Sequence, residues 1–256
     1  MPPSIPPEQH NIEIQQNRTA WQKKLLLQNI YQGFYRKIAT CLRTDLPGSI
    51  VELGSGMGNI KNVIPQCITT DLFPNPWLDR QENAYALSFA DRSIANLILF
   101  DVWHHLAHPQ TALQEFARVV APGGRLILFE PGMSWLGRII YGLFHHEYVG
   151  WDHQFAHQAP EGFVPENAPY FAAQASATRF FLRDEFQYYH ADWRLVQALP
   201  ISSLAYAASG GFSKLQYYPT PWLPAVQRLD QLLLKAPNLF ATRLLIVLER
   251  KGPANP

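Results

Sequence analysis

Residues 51–58 read Val-Glu-Leu-Gly-Ser-Gly-Met-Gly, an acid followed by three glycines at alternate positions. Gly54, Gly56 and Gly58 can adopt positive φ and let the backbone pass close under a ligand, where a Cβ would clash. The first base after this turn is Lys61. A ligand lying across it therefore meets the Glu52 carboxylate and backbone groups around Ser55, which suits a cation better than a phosphate. A dinucleotide-binding turn would also put a small residue where Asn59 stands. A second acid, Asp71, follows Glu52 by 19 residues. That is the distance at which a βαβ unit presents a carboxylate to two ribose hydroxyls.

Such a site needs parallel strands that all end at one edge. Ile50–Leu53 is a short apolar run that ends in glycine and reads as a buried strand. The spacing predicts a helix opening over Asn59–Ile64 and a second strand over Cys67–Thr70. Ser93–Phe100 reads as a central strand, and Leu113, Phe116, Ala117 and Val120 define an amphipathic helix over Thr111–Val120. Ala121-Pro122-Gly123-Gly124 stops that helix and turns the chain into a strand over Arg125–Phe129. Trp193–Leu199 and Phe240–Glu249 read as the last two strands, with a helix over Leu223–Leu234 before the second. Upstream, Trp21, Leu25, Leu26, Ile30, Phe34, Ile38 and Leu42 fall at helical spacing. They predict one helix capped by Thr19, or two broken at Gly33, behind a proline-rich arm.

The Val-Glu-Leu-Gly-Ser-Gly-Met-Gly turn is similar to the first motif of the class I S-adenosylmethionine-dependent methyltransferases. Arg-Val-Val-Ala-Pro-Gly-Gly-Arg-Leu-Ile-Leu-Phe-Glu at 118–130 resembles another segment of that family. The resemblance implies a Rossmann-like α/β fold, doubly wound, with strand order 3-2-1-4-5-7-6 and strand 7 antiparallel. It implies S-adenosylmethionine as cofactor and S-adenosylhomocysteine as product. Glu52, Gly54, Ser55, Gly56, Gly58 and Asp71 would then line the cofactor, with Leu72 and Phe73 against the adenine. Asn83–Asp91 resembles the family's adenine-binding segment, with Asn83 in place of the usual acid and Ser88 in place of a proline. There Asn83 would accept from the adenine amino group, Ala84 would offer its N–H, and Leu87 would follow. Asp101-Val102-Trp103-His104-His105-Leu106 resembles the end of the family's fourth strand. It implies Asp101 near the cofactor's ammonium group and His105 as a base beside the acceptor.

After Glu130 the resemblance fades. Trp135, Leu136, Ile139, Ile140, Leu143 and Phe144 predict an amphipathic helix over residues 133–146. His145, His146, Glu147, Asp152, His153 and His157 follow within a short stretch, but without a zinc spacing such as His-Glu-x-x-His. The segment is therefore read as a substrate-facing lid and not as a metal site, with His146 and His153 as further candidate bases, and the residues leave open whether it can bind a metal.

The 256 residues, with 47% hydrophobic and 16% charged, suit one domain. It divides into N-terminal arm and helices (1–45), cofactor-binding core (46–132), lid insertion (133–190) and C-terminal strands and helix (191–256). A net charge of +1 gives no field for nucleic acid, and the fourth strand lacks the Asn-Pro-Pro-Tyr that holds a flipped base. No apolar run approaches the ~18 residues of a membrane span. Cys41 and Cys67 show no disulfide pattern, which fits a reducing cytoplasm. The aromatic second half favours a small or medium, hydrophobic or aromatic acceptor, methylated by in-line displacement. Two other functions compete with this one. The chain would be a non-catalytic scaffold of the same fold, or an oxidoreductase using a nicotinamide cofactor. The residues leave the acceptor's identity and the oligomeric state open.

Overall fold

The computed structural model describes residues 7–143, 147–168, 171–183, 186 and 191–252, the first five through their backbone alone. Seven strands form one sheet: β1 (Ser49–Leu53), β2 (Ile68–Asp71), β3 (Arg80–Gln81), β4 (Ile94–Phe100), β5 (Val120–Pro131), β6 (Trp193–Ser202) and β7 (Ala241–Arg250). Their order is β3-β2-β1-β4-β5-β7-β6. The pairs from β3 through β5 are parallel, and β7 runs antiparallel to both of its neighbours. This is the Rossmann-like order expected from the sequence.

β4 lies at the centre, and all seven of its residues are buried. Its one polar side chain, Asn96, is satisfied by the Arg43 backbone: Oδ1 accepts from the N–H at 2.8 Å and Nδ2 donates to the C=O at 3.1 Å. On one sheet face, Leu97, Leu99, Leu126 and Leu128 pack on Phe116 and Trp103 and on Phe180. Phe116 belongs to α3 (Pro109–Val119) and Phe180 to α5 (Ser176–Leu182). The other face, Ile98, Phe100, Ile127 and Phe129, packs on α2 (Leu25–Ala39) through Leu26, Ile30, Phe34 and Ile38. Burying each of these side chains stabilises the fold by about 1.5–3 kcal/mol.

Three elements differ most from their sequence expectations, besides a β5 that takes in Ala121–Gly124 and an N-terminal helix that runs through Thr19 instead of being capped by it. The N-terminal helix breaks at Lys24, between α1 (Pro7–Lys23) and α2, and not at Gly33. A lone glycine costs a helix only about 1 kcal/mol, and no atom presses on Gly33. At the break, Lys24 Nζ donates to the carbonyls of Gly211 (2.6 Å) and Lys214 (2.5 Å). The helix expected after the glycine turn is a single 3-10 turn, Asn59–Asn62. Pro65 disfavours helical geometry at Ile64, and β2 begins at Ile68, which leaves no room for more.

The third is α4 (Trp135–Leu143). Its large apolar residues Trp135, Ile139 and Leu143 are exposed, while Gly137 and Tyr141 face inward. A Cβ at Gly137 would lie 2.0 Å from the Gly132 carbonyl oxygen, so this face docks through a glycine. The remaining helices are α6 (Leu204–Ala208), α7 (Leu223–Leu233) and α8 (Pro237–Phe240). Among the described residues no helix is long and apolar enough to cross a membrane. Cys41 and Cys67 are buried free thiols.

Candidate functional site

The carboxyl ends of β1, β2, β3, β4 and β5 share one edge of the sheet, where open α/β folds bind ligands. At the end of β1, Gly54, Gly56 and Gly58 have φ of 66°, 52° and 71°, all left-handed. A Cβ on Gly54 would meet Val102 Cγ2 at 2.4 Å, so the turn rests directly on the segment that follows β4. Asp71 ends β2 with Oδ2 accepting the Gly56 N–H at 3.0 Å and Oδ1 accepting from Phe73 N at 3.4 Å. The glycine turn and the second acid are thus adjacent. Ser55 ties the turn to β2: its N–H donates to the Thr70 carbonyl at 2.7 Å, and its Oγ accepts from Thr70 N at 3.1 Å.

Two further elements hold the turn, and the sequence did not reveal either. Trp77 Nε1 donates to the Gly56 carbonyl at 2.9 Å, and Arg18 of α1 lies 4.8 Å from the Trp77 ring. Ile14 of α1 reaches over Gly56, where an added Cβ would come within 3.4 Å of its Cδ1.

Glu52 differs from the sequence picture of a carboxylate at the turn. It is fully buried beside Tyr35 and Ser55. Burial pushes its carboxyl up to about 8. Leu72 is exposed, Leu87 is buried in the core, and Ala84 packs partly against that core. Asn83 follows β3, with Oδ1 accepting from Tyr85 N at 3.0 Å and Nδ2 donating to the Pro165 carbonyl at 2.9 Å. The lid segment thereby covers the position given to the adenine.

Beyond β4 the edge opens into a cavity of about 270 Å³ lined by Asp101, His104, His105, Glu147, Tyr206 and Arg243, among others. Asp101 takes a left-handed φ of 56°, rare for a residue other than glycine, and strain of this kind clusters at functional sites. Its carboxylate pairs with the buried Arg243 guanidinium, whose Nε has no partner among the described residues. Glu130, at the end of β5, accepts the N–H groups of Val102 (2.9 Å) and Trp103 (2.8 Å) on Oε1 and pairs with His104 Nδ1 on Oε2 at 2.7 Å. Burial works against a charged His104, but the Glu130 and Glu147 carboxylates prevail and hold it up to about 10.

His105 donates from Nδ1 to the Phe171 carbonyl at 2.8 Å. Desolvation and the neighbouring His104 charge draw it down to about 4, so it is neutral at physiological pH. Glu147 approaches His104 Nε2 at 3.7 Å and His105 Nε2 at 3.8 Å, and its Oε2 accepts from Gln174 Nε2.

Of the histidines proposed as bases, His105 lines this cavity and His153 does not. His153 packs among Phe155, Phe171 and Tyr148, and His146 lies outside the described residues. Arg243 was missed by the sequence reading. Its signal was a lone cation inside the apolar run Phe240–Glu249.

A doubly wound sheet with this strand order, a left-handed glycine turn and a carboxylate at the end of β2 define the S-adenosylmethionine-dependent methyltransferases as a class. Residues 51–128, the stretch that holds the glycine turn, Asp71 and the end of β4, match the family described as a methyltransferase domain. Two solved structures of similar fold follow. One is a chain of the complex between the Haloferax volcanii Trm112 methyltransferase activator and the putative methyltransferase. It is 13% identical, with TM-score 0.52, covering 95% of this chain and 98% of that one. The other, from Thermotoga maritima, is described as an S-adenosylmethionine-dependent methyltransferase, possible histamine N-methyltransferase. It is 16% identical, with TM-score 0.51, covering 94% and 99%. At such identity the likeness concerns the fold. No curated protein matches.

Proposed function

We propose that this chain is a single-domain enzyme, in a cytoplasmic setting, that moves a methyl group from S-adenosylmethionine to a small acceptor. The observation that carries this is the Asp71 carboxylate bonded to the Gly56 N–H. A ribose and the glycine turn can then be engaged by one ligand. The ribose hydroxyls would lie on Asp71, the adenine between Leu72 and the Asn83–Ala84 backbone, and the methionyl end toward Asp101. The cofactor supplies an activated methyl carbon on a neutral leaving group. The protein's task is alignment, which contributes up to ~7–11 kcal/mol in the best case, together with removal of a proton where the acceptor is a hydroxyl.

The cavity beside Asp101 is the acceptor site in this proposal. Its wall of Tyr141, Tyr206 and Ile140 suits an apolar or aromatic body, while Arg243, His105 and Glu147 suit a polar end. His105 is the favoured base, because its Nδ1–H is held by a carbonyl and its Nε2 carries the lone pair. The engaged amide of Asn83 favours a second reading, a cofactor-binding scaffold that performs no transfer.

Isothermal titration with S-adenosylhomocysteine and with NAD tests the assignment. Binding of the first and not of the second is expected, and binding of neither would sink it. Asp71→Ala should weaken S-adenosylhomocysteine by ~1.5–3 kcal/mol, the worth of hydrogen bonds to a charged group. An unchanged affinity would remove Asp71 from the site.

A further inference from the structure

We infer that His104, His105 and Glu147 form a binding site for a divalent transition-metal ion of the zinc type, on the wall of the acceptor cavity. One donor atom from each lies within 4.8 Å of the other two. Both imidazoles are oriented by their Nδ1 atoms, His104 on the Glu130 carboxylate at 2.7 Å and His105 on the Phe171 carbonyl at 2.8 Å. Each ring therefore presents Nε2 toward the same Glu147 carboxylate, at 3.7 and 3.8 Å. A histidine whose second nitrogen is fixed by a carboxylate or a backbone carbonyl is the arrangement that metal-bound imidazoles almost always show.

Glu130 is suited to that supporting role and not to ligation, since both its oxygens are engaged by Val102 N, Trp103 N and His104. Gln174 holds Glu147 in the same way. Two imidazoles and one carboxylate match the three protein ligands of open zinc sites, which leave a fourth position for water or substrate. Here that position faces the 270 Å³ cavity. Ligands about 2.0–2.2 Å from a tetrahedral ion sit roughly 3.3–3.5 Å apart, so donors that lie within 4.8 Å of one another close on an ion by about 1.4 Å or less. Glu13, Asp101 and Glu147 line the cavity with carboxylates and Glu130 backs it, while the cations facing them among the described residues are Arg243 and the protonated His104, whose proton a bound ion would displace. A bound cation would offset that excess. The sequence spacing hid the site, because Glu147 comes from the insertion after β5 and the histidines from the end of β4.

The ion site does not depend on methyl transfer, and a bound ion would occupy the His105 Nε2 lone pair, so His105 serves as the base only in the ion-free protein. Only the identity of the donor in the fourth position, an oxygen or nitrogen of the acceptor, rests on the function proposed above.

The test is calorimetric titration of zinc chloride into the chelator-treated full chain, with magnesium chloride in parallel. Each variant is checked by circular dichroism and by S-adenosylhomocysteine affinity. One zinc per chain and no comparable magnesium binding is expected. Glu130→Gln should weaken zinc by about 10–100-fold. His105→Ala and the isosteric Glu147→Gln should each weaken it further still. Absence of zinc binding would overturn the proposal, as would equal binding by wild type and both ligand variants. Loss through His153→Ala, with both ligand variants still binding, would also overturn it by placing the ion elsewhere. Failure to bind S-adenosylhomocysteine with zinc binding intact would count against the proposed function and leave the ion site standing.

Discussion

Glu52 shows how little a residue's type says about its state. In the sequence it is the acid that opens the glycine turn. In the fold it is fully buried beside Tyr35, and burial raises its carboxyl from 4.5 to about 8. In that interval the folded chain holds a proton that the unfolded chain has released, so folding takes up a proton. Stability from this group is complete below about pH 4.5 and is lost as pH rises through about 8. Glu52→Gln removes the dependence. Thermal melts between about pH 5 and 8 should show the wild type falling progressively below the variant, by at most ~1.4 kcal/mol per pH unit. Parallel melting curves for the two proteins would contradict the buried, protonated state. Asp71 is the opposite case: its position at a strand end was legible from spacing alone, and its carboxylate lies on the turn as that spacing predicts.

The helices before β1 are the element whose detail the sequence did not carry. Apolar periodicity located them, because α2 must cover one sheet face. It could not locate the break, which depends on Lys24 reaching two carbonyls almost two hundred residues away in the chain. That anchor fixes the pivot from which α1 extends, with Ile14 over Gly56 and Arg18 on Trp77. Lys24→Met keeps the stem and removes both hydrogen bonds. Stopped-flow displacement should show S-adenosylhomocysteine leaving the variant several-fold faster, because hydrogen bonds worth ~1 kcal/mol or more to the closed arrangement are gone. The melting temperature should change little, since the buried face of α2 is untouched. Equal release rates would mean that α1 does not cover the ligand. In α4 the apolar spacing correctly marked a helix, but its large apolar residues are not the face that docks. A glycine contact with Gly132 decides which side docks, and periodicity of large residues does not register glycine.

At the scale of the molecule, the antiparallel β7 is what completes the cavity. Running against β5, it brings Arg243 opposite Pro131 at the edge where the parallel strands end. There its guanidinium meets Asp101, 142 residues earlier in the chain. Asp101→Asn should leave a buried cation without its counter-charge and cost about 3–5 kcal/mol in denaturant unfolding. The double variant Asp101→Asn/Arg243→Met should recover much of that loss, because no unpaired charge remains. Additive losses would show that the two residues do not interact.

The sequence by itself located the strands other than β3, through apolar runs and turn residues, and the glycine turn with its acid 19 residues on, while the strand order followed from the family resemblance those motifs carry. The runs and the turn are local, and local spacing records them. Only the tertiary structure decided that Glu52 is shielded from solvent, that Arg243 reaches Asp101, and that Glu147 meets a pair of histidines from the turn after β4. Each of these joins distant parts of the chain, and the energy that selects it is desolvation and charge pairing inside a packed fold.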